Sequence, residues 1–113
     1  MSEIAQTPAP PYYAVIFTNT TTDNMEGYEE MATQMVQLGR QQPGFLGIES
    51  ARNEIGITVS YWRDLESIKN WKQLAEHLQA QQTGRRQWYA SYTTRIALVE
   101  RDYSFDQLSS ATG

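Results

Sequence analysis

Hydrophobic and polar residues follow two periods along this chain, and the shorter period predicts four β-strands. Each predicted run is rich in β-branched and aromatic residues and is bounded by turn-forming residues, which is typical of strands. Asn53 and Glu54 separate the second run from the third, and this spacing predicts a β-hairpin. The predicted strands are Tyr13–Thr18, Phe45–Arg52, Ile55–Trp62 and Ala90–Tyr103.

The longer period, in which apolar residues recur three or four positions apart, predicts two amphipathic helices. Asp23 followed by Glu26 resembles a capping box at the start of the first helix, and Gly39 is suited to its end. Asp64 is the predicted cap of the second helix, which Gly84 interrupts before a short extra turn. The apolar stripes are Met25, Tyr28, Met31, Met35 and Leu38 in the first helix, and Leu65, Ile68, Trp71, Ala75 and Leu78 in the second.

The order of the predicted elements is strand, helix, strand, strand, helix, strand. This is the split βαβ, or ferredoxin-like, arrangement of an α+β domain with an antiparallel sheet. A chain of 113 residues has room for one such domain. We assign the domain to residues 12–103, between a Pro-rich flexible tail over 1–11 and a second tail over 104–113.

The outer strands are apolar on both faces, which predicts that both faces of the sheet are covered. In the first strand Val15 and Phe17 alternate with the equally apolar Ala14 and Ile16, and the last strand has the same character. Helices on one side of a sheet leave the other side in need of a partner. A second copy of the same sheet is the simplest cover, so a homodimer is predicted; scattered exposed aliphatic side chains are the alternative.

Composition excludes several classes of protein. The formal net charge is −4, and the sequence has no basic stripe of the kind that binds nucleic acid. Cysteine is absent and His77 is the single histidine, which excludes thiolate chemistry and a multi-histidine metal site within one chain. No apolar run approaches the roughly 20 residues of a membrane span, and the N-terminus is not a secretory signal. A cytoplasmic protein without membrane or nucleic-acid partners is expected.

Four stretches of the chain together carry a resemblance to a known family. They are Gly44–Glu49, Ile57–Trp62, Trp71–His77, and Trp88-Tyr89 leading into the last strand. In this combination the chain resembles the antibiotic biosynthesis monooxygenase family over residues 12–103. The resemblance implies a dimeric α+β barrel, with a pocket between the helices and the sheet of each subunit. Such a scaffold does not by itself fix the reaction.

Members of that family include oxygenases of anthrones and quinols that need no cofactor, haem-degrading enzymes, and proteins without an assigned activity. The resemblance implies catalytic roles for Asn19, at the end of the first strand, and for Trp71, on the second helix. A carboxamide can hydrogen-bond a phenol or enolate oxygen, and an indole provides a flat wall and one N–H donor. The alternatives are that Asn19 starts a turn and that Trp71 anchors the core.

His77 is the third candidate catalytic residue, as a general base, because imidazole exchanges protons near neutral pH. On a regular helix it points about 120° away from Trp71, so sharing a pocket requires the helix to bend; a solvent-facing histidine is the alternative. In the haem degraders the ligating histidine comes ten residues after the tryptophan. Gln81 holds that position here, which disfavours haem as a cofactor.

Three further residues are candidates for binding a substrate: Trp62, Arg86 and Tyr92. Trp62 could stack on a ligand or cover the start of a helix. Arg86 could pair with an oxyanion or satisfy a helix end. Tyr92 points to one of the two faces of the last strand.

The sequence therefore predicts a monooxygenase that acts on a small electron-rich aromatic molecule of the quinol or anthrone type, with no cofactor and no metal. Such substrates supply their own electrons, so a dry pocket, a base and an oxyanion donor can suffice. The alternatives are a haem-binding or haem-degrading protein and a non-catalytic dimer that binds a small molecule.

Overall fold

The computed structural model describes residues 3–81 and 88–107 and confirms the predicted order of elements. The strands form one antiparallel sheet in the order β2-β3-β1-β4, with both helices on one side, which is the ferredoxin-like arrangement. The elements are β1 (Tyr12–Thr21), α1 (Tyr28–Arg40), β2 (Phe45–Arg52), β3 (Gly56–Trp62), α2 (Leu65–Gln81) and β4 (Tyr89–Val99).

β1 is longer than predicted because it lies in the middle of the sheet. The polar residues from Asn19 onward were predicted to break the strand, and that prediction is wrong. Asn19 pairs with Gly56 of β3 on one side and with Tyr92 of β4 on the other. Neighbours on both sides satisfy the backbone, so strand geometry continues through residues with low strand propensity.

α1 begins later than the sequence predicts. The expected capping box at Asp23 and Glu26 is wrong, because the helix starts at Tyr28 and no side chain caps it. Gly27 precedes it with φ of 81°, in the left-handed region that glycine adopts without strain. At the other end Gly39 is buried inside the helix rather than following it, and Gln41 is the C-cap.

α2 begins where the sequence predicts. Asp64 lies immediately before it, and its carboxylate accepts a hydrogen bond from the backbone N–H of Ser67 at 2.8 Å. Hydrogen bonds from Ser67, chiefly from its hydroxyl and then from its backbone, lower the pKa of the Asp64 carboxyl. The predicted extra turn after α2 falls mostly outside the described residues, which resume at Trp88.

β4 is shorter than predicted and forms an edge of the sheet. It ends at Val99 rather than at Tyr103, and the residues that follow it have no regular structure. Of these, Asp102 accepts a hydrogen bond from the Tyr12 hydroxyl at 2.5 Å. Every residue from Ala90 to Leu98 is exposed in the single chain.

The two faces of the sheet differ in what covers them. Both helices pack on the face that carries Val15 and Phe17, and the core lies there around Trp62, which is fully buried. On the other face, called the outer face below, Ile16 pairs with Val59. Part of the N-terminal segment lies along this outer face, where the Ala5 N–H donates to the Glu49 carboxylate at 2.9 Å.

Within the described residues, neither helix has the length and apolar character that crossing a membrane would require.

Candidate active site

A cavity of about 580 Å³ lies between the two helices and the sheet. All four strands and both helices contribute to its mainly apolar wall. It opens beside β4, because two lining residues of that edge strand, Tyr92 and Ile96, are 45% and 51% exposed. An apolar pocket of this size with few polar groups is the usual form of a small-molecule site.

Two tryptophans form one end of the cavity. Trp62, which ends β3, stacks on Trp71 of α2 with ring centroids 6.0 Å apart and an angle of 23° between the planes. Phe45 packs edge-on against Trp62 at 5.5 Å. The Trp62 indole N–H donates to the Ser60 hydroxyl at 2.9 Å, so its polar atom is satisfied inside the core. This end is therefore flat, rigid and apolar.

Four aromatic side chains surround the other end: Phe17, Tyr28, Tyr89 and Tyr92. Phe17 lies 5.4 Å from Tyr89 and 5.5 Å from Tyr92 between ring centroids, and Tyr28 lies 5.9 Å from Tyr89. Most of these contacts are edge-to-face, which the quadrupoles of aromatic rings favour. The three tyrosines come from α1 and β4, so this end depends on the docking of the helix against the edge strand.

Tyr89 remains a phenol rather than a phenolate at neutral pH. Burial raises its pKa well above the ordinary value of 10.0, and the neighbouring Tyr28 hydroxyl raises it further through its charge and a hydrogen bond. The Arg52 guanidinium opposes this shift only in part. Tyr89 can therefore supply a hydrogen bond inside the cavity, but it is a poor proton acceptor there.

Arg52, the last residue of β2, brings a positive charge into this aromatic end. Its guanidinium donates to the carboxamide oxygen of Asn19 and, at 3.2 Å, to the Tyr28 hydroxyl. It also stands over the Tyr28 ring, with Cζ 5.6 Å from the ring centroid, in a cation–π contact. Gly56, directly opposite in the register, leaves the space that the guanidinium occupies.

The predicted placement of Asn19 beside Trp71 in the cavity wall is wrong. Asn19 is 3% exposed and is not among the lining residues, because the Arg52 guanidinium lies in front of it. It faces Gly56 at the start of β3, whereas Trp71 packs at the end of that strand, roughly 20 Å away along an extended chain. Asn19 therefore reaches the cavity only through Arg52.

The structure does bring together three other predicted site residues. Trp71, Trp62 and Tyr92 all line the cavity. Trp62 is part of its inner wall and is 0% exposed. Arg86 lies outside the described residues. The chemical roles assigned to these residues from the sequence stay predictions.

His77 lies apart from the cavity. α2 is continuous from Leu65 to Gln81, so the bend that would turn His77 towards the pocket does not occur. The side chain is exposed and is not among the lining residues. Its role as a general base stays a prediction that would require α2 to move.

The cavity does not fit a histidine-ligated haem. The single histidine of the chain does not line it. Gln81 holds the position of the histidine that ligates haem in the haem degraders, and its side chain lies outside the described part of the structure. In the described ranges, no group of three or more acidic or histidine side chains is placed to hold a metal ion. We therefore derive no chemical step through haem.

Sequence reasoning missed Arg52, Tyr28 and Tyr89. Tyr28 was assigned to an apolar helical stripe, and Arg52 was given only as the last residue of the second predicted strand. The available signal was the predicted hairpin, because its register places a long cationic side chain opposite a glycine. The register does not show which face of the hairpin meets the aromatic residues of α1 and β4. That depends on how α1 docks on the sheet.

Comparison with known proteins agrees with the fold. The family model described as antibiotic biosynthesis monooxygenase matches residues 11–83. The uncharacterized protein YqjZ of Bacillus subtilis (strain 168) is 47% identical over 109 residues, which are 95% of this chain and 96% of that protein.

Solved structures share the fold at low sequence identity. SnoaB, a cofactor-independent oxygenase from Streptomyces nogalater, has a TM-score of 0.62 and 14% identity, over 87% of this chain and 100% of that one. PA3566 from Pseudomonas aeruginosa has a TM-score of 0.64 and 15% identity, over 85% of this chain and 99% of that one. At these identities the likeness extends to the fold alone.

Proposed function

Because the chain belongs to the antibiotic biosynthesis monooxygenase family, we propose that it is a monooxygenase that oxidises a small electron-rich aromatic molecule of the quinol or anthrone type without a cofactor. The observation that carries the proposal is the aromatic-walled cavity of about 580 Å³ between the helices and the sheet. The description of SnoaB, which shares the fold, as a cofactor-independent oxygenase supports it.

The walls of the cavity suit a flat ligand. Trp71 and Trp62 are stacked at one end, and the rings of Phe17, Tyr28 and Tyr89 surround the other. Flat aromatic ligands gain both buried area and favourable ring contacts from such walls. A bound ligand that fills the cavity would displace water from these walls, which would strengthen polar interactions there and protect reactive intermediates.

An electron-rich aromatic can reduce dioxygen with its own electrons. For anthrone, C14H10O + O2 gives C14H8O2 + H2O. Two C–H bonds at the ring methylene are replaced by one C=O bond, and four electrons pass to dioxygen. One oxygen atom stays in the product and the other leaves as water. The protein has to bind the molecule, stabilise its anion after loss of a proton, and keep bulk water away.

Oxygen uptake with a panel of quinols and anthrones tests the proposal. We expect at least one compound to be consumed faster with the wild-type protein than without protein. Trp71→Leu, which removes the flat wall, should lower that rate about tenfold or more. Trp88→Leu is the control for loss of a tryptophan ring, because Trp88 packs in the core, at 4% exposed, but does not line the cavity.

Thermal melting of both variants separates loss of activity from loss of folding. Binding of panel compounds without any turnover would contradict the oxygenase and favour a non-catalytic binding protein.

We also propose that the protein is a homodimer joined through the outer face of the sheet, as a dimeric α+β barrel. No helix covers this face within the described residues, and its centre carries Ile16, Val59 and Ala97. The N-terminal segment lies against this face near Glu49 and Tyr12. A second copy of the same face would bury the remaining apolar strip.

A further inference from the structure

Arg52 is a solvent-exposed cation at the edge of the cavity wall, and within the described residues its side-chain hydrogen bonds reach no anionic group. Both of its described hydrogen bonds go to neutral oxygen atoms, those of Asn19 and Tyr28. Among the described residues the recorded ion pair is between Arg63 and Asp64 on the surface. A guanidinium has five N–H donors, so two neutral acceptors leave donors that can meet a ligand.

The Asn19 carboxamide holds this guanidinium in one orientation. Its amide nitrogen donates to the Gly56 carbonyl oxygen at 3.5 Å, so its own oxygen faces Arg52. Asn19 is 3% exposed, and burial in the centre of the sheet restricts its rotation. The group that holds Arg52 is therefore rigid and preorganised.

Gly56 of β3 also leaves the space that the guanidinium occupies. A Cβ at Gly56 would lie 2.2 Å from one terminal nitrogen of Arg52 and 2.3 Å from its Cζ. Any larger residue there would displace the charge. The missing side chain at Gly56 and the orientation of Asn19 together determine where the Arg52 guanidinium lies.

Aromatic rings stand beside the Arg52 guanidinium in the cavity wall. Tyr28, Tyr89, Tyr92 and Phe17 line the cavity beside it. Because Tyr89 keeps its proton, this end offers a phenolic hydroxyl and a fixed positive charge. These groups are complementary to an aromatic molecule with a negatively charged oxygen.

We propose that Arg52 binds the ionised oxygen, phenolate or enolate, of the aromatic molecule that occupies the cavity, and that Asn19 is the positioning residue that aims it. The inference rests on the proposed function and assigns the residue that receives the charged ring oxygen of such a substrate. It gives Asn19 an indirect role, through Arg52, in place of direct contact with the substrate.

This arrangement also favours formation of the reactive anion. A positive charge beside an ionisable oxygen lowers the pKa of that oxygen, by about 1–3 units at contact distance. Electron-rich phenols and enols react with dioxygen through their anions, so a larger anionic fraction means faster reaction. A cavity with this cation has less need of a strong base.

Binding of 7-hydroxycoumarin, followed without turnover under nitrogen, tests the proposal. The absorption spectrum of this two-ring phenol distinguishes the phenol from the phenolate. We expect the wild-type protein to lower the pH at which the bound coumarin ionises by about one unit or more, relative to the free compound. Arg52→Gln should abolish this shift and weaken binding of the phenolate about tenfold or more.

Three controls make the result specific. 7-Methoxycoumarin has nearly the same shape without an ionisable hydroxyl, and Arg52→Gln should change its affinity by less than about twofold. Arg101→Gln removes the same charge at an exposed position after β4 and should leave the ionisation shift unchanged. Asn19→Ala should reduce the shift while Arg52 is still present. Thermal melting identifies any variant that fails to fold.

An unchanged ionisation shift in a folded Arg52→Gln protein would overturn the inference, and so would failure of the wild-type protein to bind 7-hydroxycoumarin. Because no oxygenation occurs in this assay, its outcome is independent of the oxygen-uptake test. A protein that shows the Arg52-dependent shift but consumes no oxygen would support the inference about Arg52 and contradict the proposed oxygenase activity.

Discussion

Gly56 determines where the positive charge of Arg52 can lie. A methyl group at Gly56 would overlap the guanidinium, which is the far end of a flexible side chain and can move away. We expect Gly56→Ala to displace Arg52 from Asn19 and to remove the ionisation shift of bound 7-hydroxycoumarin. The melting temperature should change little, because no backbone atom has to move.

Gly47→Ala is the matched control for this substitution. Gly47 also lies in the sheet, but its added Cβ would point at Ala5, 3.1 Å away, on the face opposite the cavity. It should keep the ionisation shift. A Gly56→Ala protein with the wild-type shift would mean that Arg52 binds from another position than the one described.

Single residues also mark the limit of what the sequence predicted about the site. Trp71, Trp62 and Tyr92 were candidate site residues from the sequence, and all three line the cavity, although strand alternation left open which face Tyr92 takes. Asn19 was placed in the wall, since nothing local to it reveals that Arg52, 33 positions later, lies in front of it. His77 required a bend that the sequence of α2 does not encode.

Asp64 at the start of α2 makes the stability of this element depend on pH. The folded carboxyl has a pKa below its ordinary value of 3.8, because Ser67 donates hydrogen bonds to the carboxylate. The folded state therefore binds this proton less readily than the unfolded chain. The stabilisation is fully present above about pH 4 and is lost as the pH falls through the lower pKa of the folded state.

Urea unfolding at neutral and acid pH checks this expectation. Asp64→Asn can still cap the helix but does not titrate, so its stability should fall less than that of the wild type between about pH 5 and pH 2. Equal losses in the two proteins would show that Asp64 does not contribute to acid sensitivity.

The ends of the other elements show why local sequence is an incomplete guide. The start of α2 was predicted correctly because Asp64 makes its capping bond within three residues. The start of α1 was not, because Gly27, with its positive φ, takes the place of a side-chain cap. β1 extends through Asn19 because β3 and β4 pair with it there, and both partners are distant in sequence.

The assembly of the whole molecule can be tested on the outer face of the sheet. Ile16 lies near the centre of this face, between Val59 and Arg95 in the register. We expect Ile16→Lys to convert the proposed dimer to a monomer, because it places a charge in the apolar strip that a second copy would bury. Light scattering at micromolar concentration measures the change.

Ile55→Lys is the control for that substitution, because Ile55 is 52% exposed in the loop between β2 and β3. It should leave the dimer intact. A wild-type protein that is monomeric, or an Ile16→Lys protein that stays dimeric, would contradict assembly through this face.

The fold as a whole was predictable because it follows from the periodic pattern of apolar residues along the sequence. Alternation in the strands and three-to-four spacing in the helices gave the order of elements and the ferredoxin-like class, both of which the structure confirms. The polar end of the cavity was not predictable in this way. It combines Arg52 of β2, Tyr28 of α1 and Tyr89 of β4, which meet only when the helix docks on the sheet.

Incorporation of labelled oxygen tests the central claim most directly. Chelator-treated protein is mixed with anthrone, or with the most active member of the quinol panel, under ¹⁸O₂, and the product is analysed by mass spectrometry. We expect accelerated formation of the oxygenated product, which is anthraquinone from anthrone or a hydroxylated quinone from a quinol, with one ¹⁸O atom in each product molecule and one dioxygen consumed per substrate. A rate no faster than the reaction without protein, for every compound in the panel, would contradict the claim that this cavity is the active site of a cofactor-independent monooxygenase.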